Sequence, residues 1–185
     1  MLRIIATLLL TLSCCSFSYA RTEVRSLEEW AAYMLGKLPF VSGEMTAKSY
    51  GDVSRAYIEN MTKFYWQSTE KKVDAARKAG RKRAVGFFEH QRDKEIARLK
   101  AYATDTEKGV LQSLDPNRTG IVKIGDARRI LLAIARRSDF NNNGLLEAAE
   151  ADIAEAAFVR GIDPMDPKAI DKMIYELDRD ENWWR

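Results

Sequence analysis

The chain has 185 residues, 46% hydrophobic and 31% charged, with a net charge of +3, which is ordinary globular material for one compact domain or two small ones. So small a net charge assigns no partner by itself, and the informative charges are local. Both cysteines, Cys14 and Cys15, lie within the first twenty residues, so a chain cut after Ala20 has no cysteine for disulfides, thiol catalysis or Cys-ligated zinc.

Arg3 precedes an apolar run over residues 4–12, and Ser18-Tyr19-Ala20 places small residues at the −3 and −1 positions of a cleavage site. This order predicts a secretory signal peptide over residues 1–20 and a secreted or periplasmic protein beginning at Arg21. The run falls short of the about 20 apolar residues that a membrane-spanning helix needs, and no second such run follows. A competing reading takes Leu12-Ser13-Cys14-Cys15 as a partial lipobox and anchors the protein by lipid at Cys15, although Cys14 then stands where Gly, Ala or Ser is expected.

From Arg21 onward the pattern predicts helices. Ser26-Leu27-Glu28-Glu29 is a capping-box start, with Trp30, Tyr33 and Met34 following on one face. Gly36, Pro39 and Gly43 end that helix. A second begins near Asp52, where Val53, Tyr57, Ile58, Met61, Phe64 and Tyr65 recur at helical spacing as core residues. Residues 71–100 hold eleven Lys or Arg against four acids, a local balance of +7, and read as a long basic helix despite Gly80 and Gly86. Its charges form either a solvated face or a surface for anionic lipid, envelope polymer or an acidic partner. Interspersed acids and the lack of stacking aromatics argue against nucleic acid.

The charge then changes sign, from +6 over residues 21–102 to −4 over residues 103–185. This shift predicts a basic helical region over 21–102 and a separate domain over 103–185. Within the second, Asp139-Phe140-Asn141-Asn142-Asn143-Gly144-Leu145-Leu146-Glu147-Ala148-Ala149-Glu150 sets oxygen-bearing residues at alternate positions before a Gly and closes on a carboxylate. A hard cation such as calcium takes six to eight oxygens, which a twelve-residue loop supplies from positions 1, 3, 5, 7, 9 and 12. Here these are Asp139, Asn141, Asn143, the backbone of Leu145, Glu147 through a water, and Glu150 with both oxygens. The alternative is an Asn/Gly-rich surface turn without metal.

This loop, D-x-[DN]-x-[DN]-G-x5-E, resembles the EF-hand family of calcium-binding proteins. The resemblance covers about residues 105–185 and implies an all-α fold with two or three helix-loop-helix units. A second loop, 115–126, fits less well: Asp115, Asn117, Thr119, the backbone of Ile121 and Asp126 are the candidate ligands, with Lys123 at position 9 and the shorter Asp126 at position 12. It is expected to be weaker than loop 139–150 or to favour Mg2+ over Ca2+, or to keep the loop shape without an ion. The two loops start 24 residues apart with one helix between them, a short repeat that weakly resembles dockerin modules. Asp178-Arg179-Asp180-Glu181-Asn182 repeats positions 1, 3 and 5 and reads as a truncated hand, expected to pair with loop 139–150 and to bring Trp183 and Trp184 near Leu145 and Leu146.

His90 is the sole histidine, and the chain has no G-x-S-x-G and no H-E-x-x-H, so triad and zinc chemistries lack parts. A two-carboxylate hydrolase needs only spatial proximity of acids and stays open here. The leading expectation is an exported calcium-binding protein that is not an enzyme; the alternative is an envelope-anchoring, polyanion-binding or partner-binding helical module in which calcium is only structural.

Overall fold

Ser26 fixes the start of the first helix. In the computed structural model, which describes residues 24–166 and 168–179, the Ser26 hydroxyl accepts the Glu29 N–H at 3.2 Å and the Glu29 carboxylate accepts the Ser26 N–H at 2.9 Å. Two orphan donors of the helix start are thereby satisfied. Strand β1 (Arg25–Ser26) leads into α1 (Leu27–Gly36), and β2 (Glu44–Thr46) leads into α2 (Ala47–Lys78). There follow α3 (Lys82–Leu114), β3 (Ile121–Lys123), α4 (Ile124–Ser138), β4 (Leu145–Leu146), α5 (Ala148–Val159) and α6 (Ala169–Arg179). The described chain is thus mostly helical, with few and short strands. The expected signal peptide and Cys14 and Cys15 lie outside the described residues, as do residues 180–185.

The second helix starts at Ala47 rather than near Asp52, because Thr46 and Ser49 form a reciprocal cap, each side chain accepting the other's N–H at 3.0 Å. The basic stretch 71–100 is not one helix. Gly80 adopts φ +69°, its N–H bonds the Arg77 carbonyl at 3.0 Å and the Arg81 N–H bonds the Ala76 carbonyl at 2.9 Å. That left-handed cap, easy for Gly and costly for other residues, ends α2. The chain reverses through residues 79–81, and α2 and α3 pack as a helical hairpin on an inner seam that includes Tyr57, Val73, Ala76, Ile96 and Leu99.

Two antiparallel strand pairs join the first quarter of the chain to its second half. Arg25 and Ser26 face Leu146 and Leu145. Glu44, Met45 and Thr46 face Lys123, Val122 and Ile121. Through these pairs the core unites Trp30, Met34 and Met45 with Leu131, Ile134, Leu146 and Phe158, large side chains whose burial stabilises by about 1.5–3 kcal/mol each for residues such as Leu and Phe. A boundary near Ala103, suggested by the change of charge, meets no break here: Ala103 is buried inside α3, and the apolar core crosses that position. Charge marks which surface a segment presents to water, whereas burial decides which segments fold together.

Where α3 crosses α5 the backbones nearly touch. The Ser113 hydroxyl donates to the Phe158 carbonyl at 3.1 Å within the interior. Gly161, at φ +71°, ends α5 with the Ile162 N–H on the Ala157 carbonyl at 3.0 Å. These contacts hold α5, and with it the closing carboxylate of loop 139–150, against the end of α3 that opens loop 115–126.

Candidate metal centre

The helix α4 separates the two loops, as the spacing predicts, and its 15 residues span about 22 Å at about 1.5 Å per residue. Loop 115–126 begins where α3 ends, and loop 139–150 begins where α4 ends. Both loops take the same backbone turn. Arg118 and Asn142, each at position 4, have φ of 55° and 56°, and Gly120 and Gly144, each at position 6, have φ of 80°. Nothing lies within 4 Å of a Cβ built on either Gly, so the requirement there is conformational and not steric crowding.

In loop 139–150 the side chains turn inward onto the backbone. Asp139 accepts the N–H groups of Asn143 at 3.1 Å and Gly144 at 2.9 Å. Asn141 Oδ1 accepts the Asn143 N–H at 3.0 Å, and Asn143 Oδ1 accepts the Leu145 N–H at 2.8 Å. Glu150 closes the ring from the far end: one carboxylate oxygen accepts the Phe140 N–H at 3.0 Å and the other the Glu147 N–H at 3.0 Å. Positions 1 and 12 are therefore brought to adjacent backbone, while Glu147 stays exposed, its Oε1 3.5 Å from Asn141 Nδ2.

Asp139 and Glu150 are each only 7% exposed, and neither forms a salt bridge with a described residue within 4.0 Å. Taking a carboxylate out of water costs free energy, which the backbone N–H groups offset here and which a cation would offset further. The donors around them are all oxygens, from carboxylate, amide and backbone, which suits a hard cation such as calcium and not zinc. Among the described residues no group of three or more His, Cys, Asp or Glu side chains is gathered to hold a metal. An ion held here would therefore draw on the Asn141 and Asn143 amides and the Leu145 carbonyl, with Glu147 at the rim.

Loop 115–126 is less complete. Asp115 accepts the Thr119 N–H at 2.8 Å, the Thr119 hydroxyl at 3.0 Å and the Gly120 N–H at 2.6 Å. Burial pushes the Asp115 carboxyl up, yet those three hydrogen bonds outweigh it and leave its pKa below the usual value. The Thr119 hydroxyl lies 3.0 Å from the Ile121 carbonyl, two candidate ligands already in contact. Asn117 is exposed at the rim. Asp126 does not close the ring: its carboxylate pairs with Arg129 on the outer face of α4. Its short side chain, which sequence spacing placed at position 12, reaches the next turn of its own helix instead.

The strand partners of both loops were not read from sequence. Met45 sits opposite Val122, and Arg25 opposite Leu146, the two loop residues at position 8. Ser42 and Gly43 make a two-residue turn with φ of 54° and 84°, and Val41 and Glu44 exchange backbone hydrogen bonds across it at 2.8 and 3.1 Å. Residues 41–46 therefore form a shortened loop without an acid cradle, followed by a capped helix. Of the expected truncated hand, Asp178 lies in α6 and residues 180–185 lie outside the described residues; the strand partners of Leu145 and Leu146 are Ser26 and Arg25.

No protein-family model, curated protein or solved structure matches the chain.

Proposed function

We propose that the protein is an exported calcium-binding protein of EF-hand type, with loop 139–150 as its stronger site. The observation that carries this reading is the pair Asp139 and Glu150, buried, converging from the two ends of one twelve-residue loop, and without a cationic side chain to balance them. Asp139, Asn141, Asn143, the Leu145 carbonyl, Glu150 and, through water, Glu147 would hold the ion, which supplies the positive charge those carboxylates lack. Loop 115–126, with Asp126 diverted to Arg129, is the weaker site and the one open to magnesium. Export rests on the residue order over 1–20 alone. Extracellular calcium sites work at about 10⁻⁴–10⁻³ M, so the ion acts here as a structural brace or a response to high calcium and not as a cytosolic signal. We read the molecule as a binding protein and not an enzyme.

The test is calorimetric calcium titration of the chain beside Glu150→Gln. The substitution neutralises the closing carboxylate and is expected to weaken the tighter event by more than about tenfold, about 1.4 kcal/mol. A variant that titrates like the parent, or a parent that binds no calcium at millimolar concentration, defeats the reading.

A further inference from the structure

Beyond cation binding, the helical hairpin ends in a cluster of uncompensated positive charge. Near the reversal at residues 79–81, three acids, Glu70, Asp74 and Glu89, all pair with one cation, Arg77, at 3.6, 3.4 and 3.1 Å. Lys71, Lys72, Lys78, Arg81, Lys82 and Arg83 are exposed and form no ion pair among the described residues. They occupy the last two turns of α2, the reversal and the first turn of α3. Arg81, Lys82 and Arg83 stand at the N-terminus of α3, where the helix macrodipole disfavours cations, and that first turn holds no acid. A local rule broken without local compensation is where a functional or strained site is expected.

Phe87 lies one turn beyond Arg83 on the same face of α3 and is 58% exposed. Its ring meets Phe88 edge-on at 5.7 Å, so the apolar surface continues from an exposed ring into a half-buried one. Cations flanking an exposed aromatic ring match the two layers of an anionic bilayer surface: ammonium and guanidinium groups among the headgroups, the ring at the acyl boundary. A soluble polyanion without aromatic or apolar groups, such as polyphosphate, satisfies the charges but offers the ring nothing. No described helix is long and apolar enough to cross a membrane, so the contact is peripheral.

We infer that the tip of the α2–α3 hairpin docks on the surface of an anionic lipid bilayer, with Lys78, Arg81, Lys82 and Arg83 at the headgroups and Phe87 at the acyl boundary. The metal loops lie at the other end of the hairpin, so this docking does not depend on the calcium reading and is testable in chelator. The experiment is co-sedimentation of the full chain with vesicles of phosphatidylcholine mixed with phosphatidylglycerol, beside vesicles of phosphatidylcholine alone. Binding is expected only to the mixed vesicles, falling with added salt. Lys82→Glu with Arg83→Glu, both on exposed positions that leave the seam intact, should weaken partitioning by about fivefold or more for each charge removed. Phe87→Ser should weaken it as well while leaving retention on immobilised polyphosphate unchanged. The inference is overturned if the mixed vesicles are not bound, or if the double charge reversal leaves their binding unchanged. It is equally overturned if Phe87→Ser has no effect on vesicles, which would make the tip a general polyanion surface.

Discussion

The Cα of Gly109 lies against the carbonyl oxygen of Val159, so close that a Cβ on Gly109 would sit 1.9 Å from it. Both atoms belong to backbone, α3 on one side and the end of α5 on the other, so neither yields by a rotamer change. Gly109→Ala should therefore force the helices apart and lower stability by about 1–3 kcal/mol or more. Gly86→Ala is the control: it sits in the same helix with nothing within 4 Å, and should raise stability by up to about 1 kcal/mol. Chemical unfolding of both variants decides the matter, and equal effects would mean that α3 and α5 do not meet here.

The second prediction concerns Asp126, whose carboxylate is engaged by Arg129 on its own helix. Asp126→Asn is expected to leave the tighter calcium event unchanged and to affect only a weak event or none. Arg129→Ala releases the carboxylate and is expected to strengthen the weak event. Titration of both variants would place the strong site in the wrong loop if Asp126→Asn proved the more damaging change.

A third prediction follows from the cap of α1. The Ser26 N–H and hydroxyl donate to Glu29, and these bonds hold its carboxyl below its ordinary pKa of 4.5, opposed by slight desolvation and aided by Arg25. A depressed carboxylate stabilises the fold above its unfolded pKa and loses that contribution as pH falls through the folded value. Glu29→Ala should therefore lower the unfolding midpoint at neutral pH, and the difference from the parent should close as the solution is acidified below about 4.5. A gap that persists unchanged into acid would assign the loss to packing instead.

Much of the helical architecture is legible in residue order. Ser26 with Glu29 announces a helix start, the apolar stretch between the loops announces α4, and Asp139 to Glu150 spells out a cradle of oxygens at alternate positions. What escaped were features set by backbone. In the sequence Gly80 is a weak helix residue, costing about 1 kcal/mol relative to Ala, whereas its positive φ makes it a terminator and turns one basic helix into a hairpin. The partners of the two loops escaped because two- and three-residue strands show no usable alternation, and register over such lengths is set by tertiary packing. One signal was present: Thr46 and Ser49 repeat the three-residue spacing of Ser26 and Glu29 and of Glu147 and Glu150, each at the end of a short strand. Asp126 escaped for a different reason, since spacing gives a ligand's position in a loop but not the competing charge at its next helical turn.

The last prediction tests whether the two halves of the chain fold as one. Trp30 lies in α1, 2% exposed, in the same core as Leu146 and Phe158, while Leu146 belongs to the loop that ends on Glu150. Calcium bound by that loop stabilises whatever unfolds together with it, by about 2.7 kcal/mol at a free concentration of about 100 times Kd. For a chain of this size that is a rise of roughly 5–10 °C. With Trp66, Trp183 and Trp184 replaced by Phe, fluorescence reports only Trp30. Its thermal midpoint should coincide with that of far-ultraviolet circular dichroism, should rise with calcium, and should lose that rise with Glu150→Gln. Independent domains divided near Ala103 would give the opposite result: a Trp30 transition indifferent to calcium and to Glu150, separate from a second transition that responds to both. The strand pairs Arg25 with Leu146 and Met45 with Val122 are the physical reason to expect a single transition, because breaking either pair exposes apolar surface on both sides of that position.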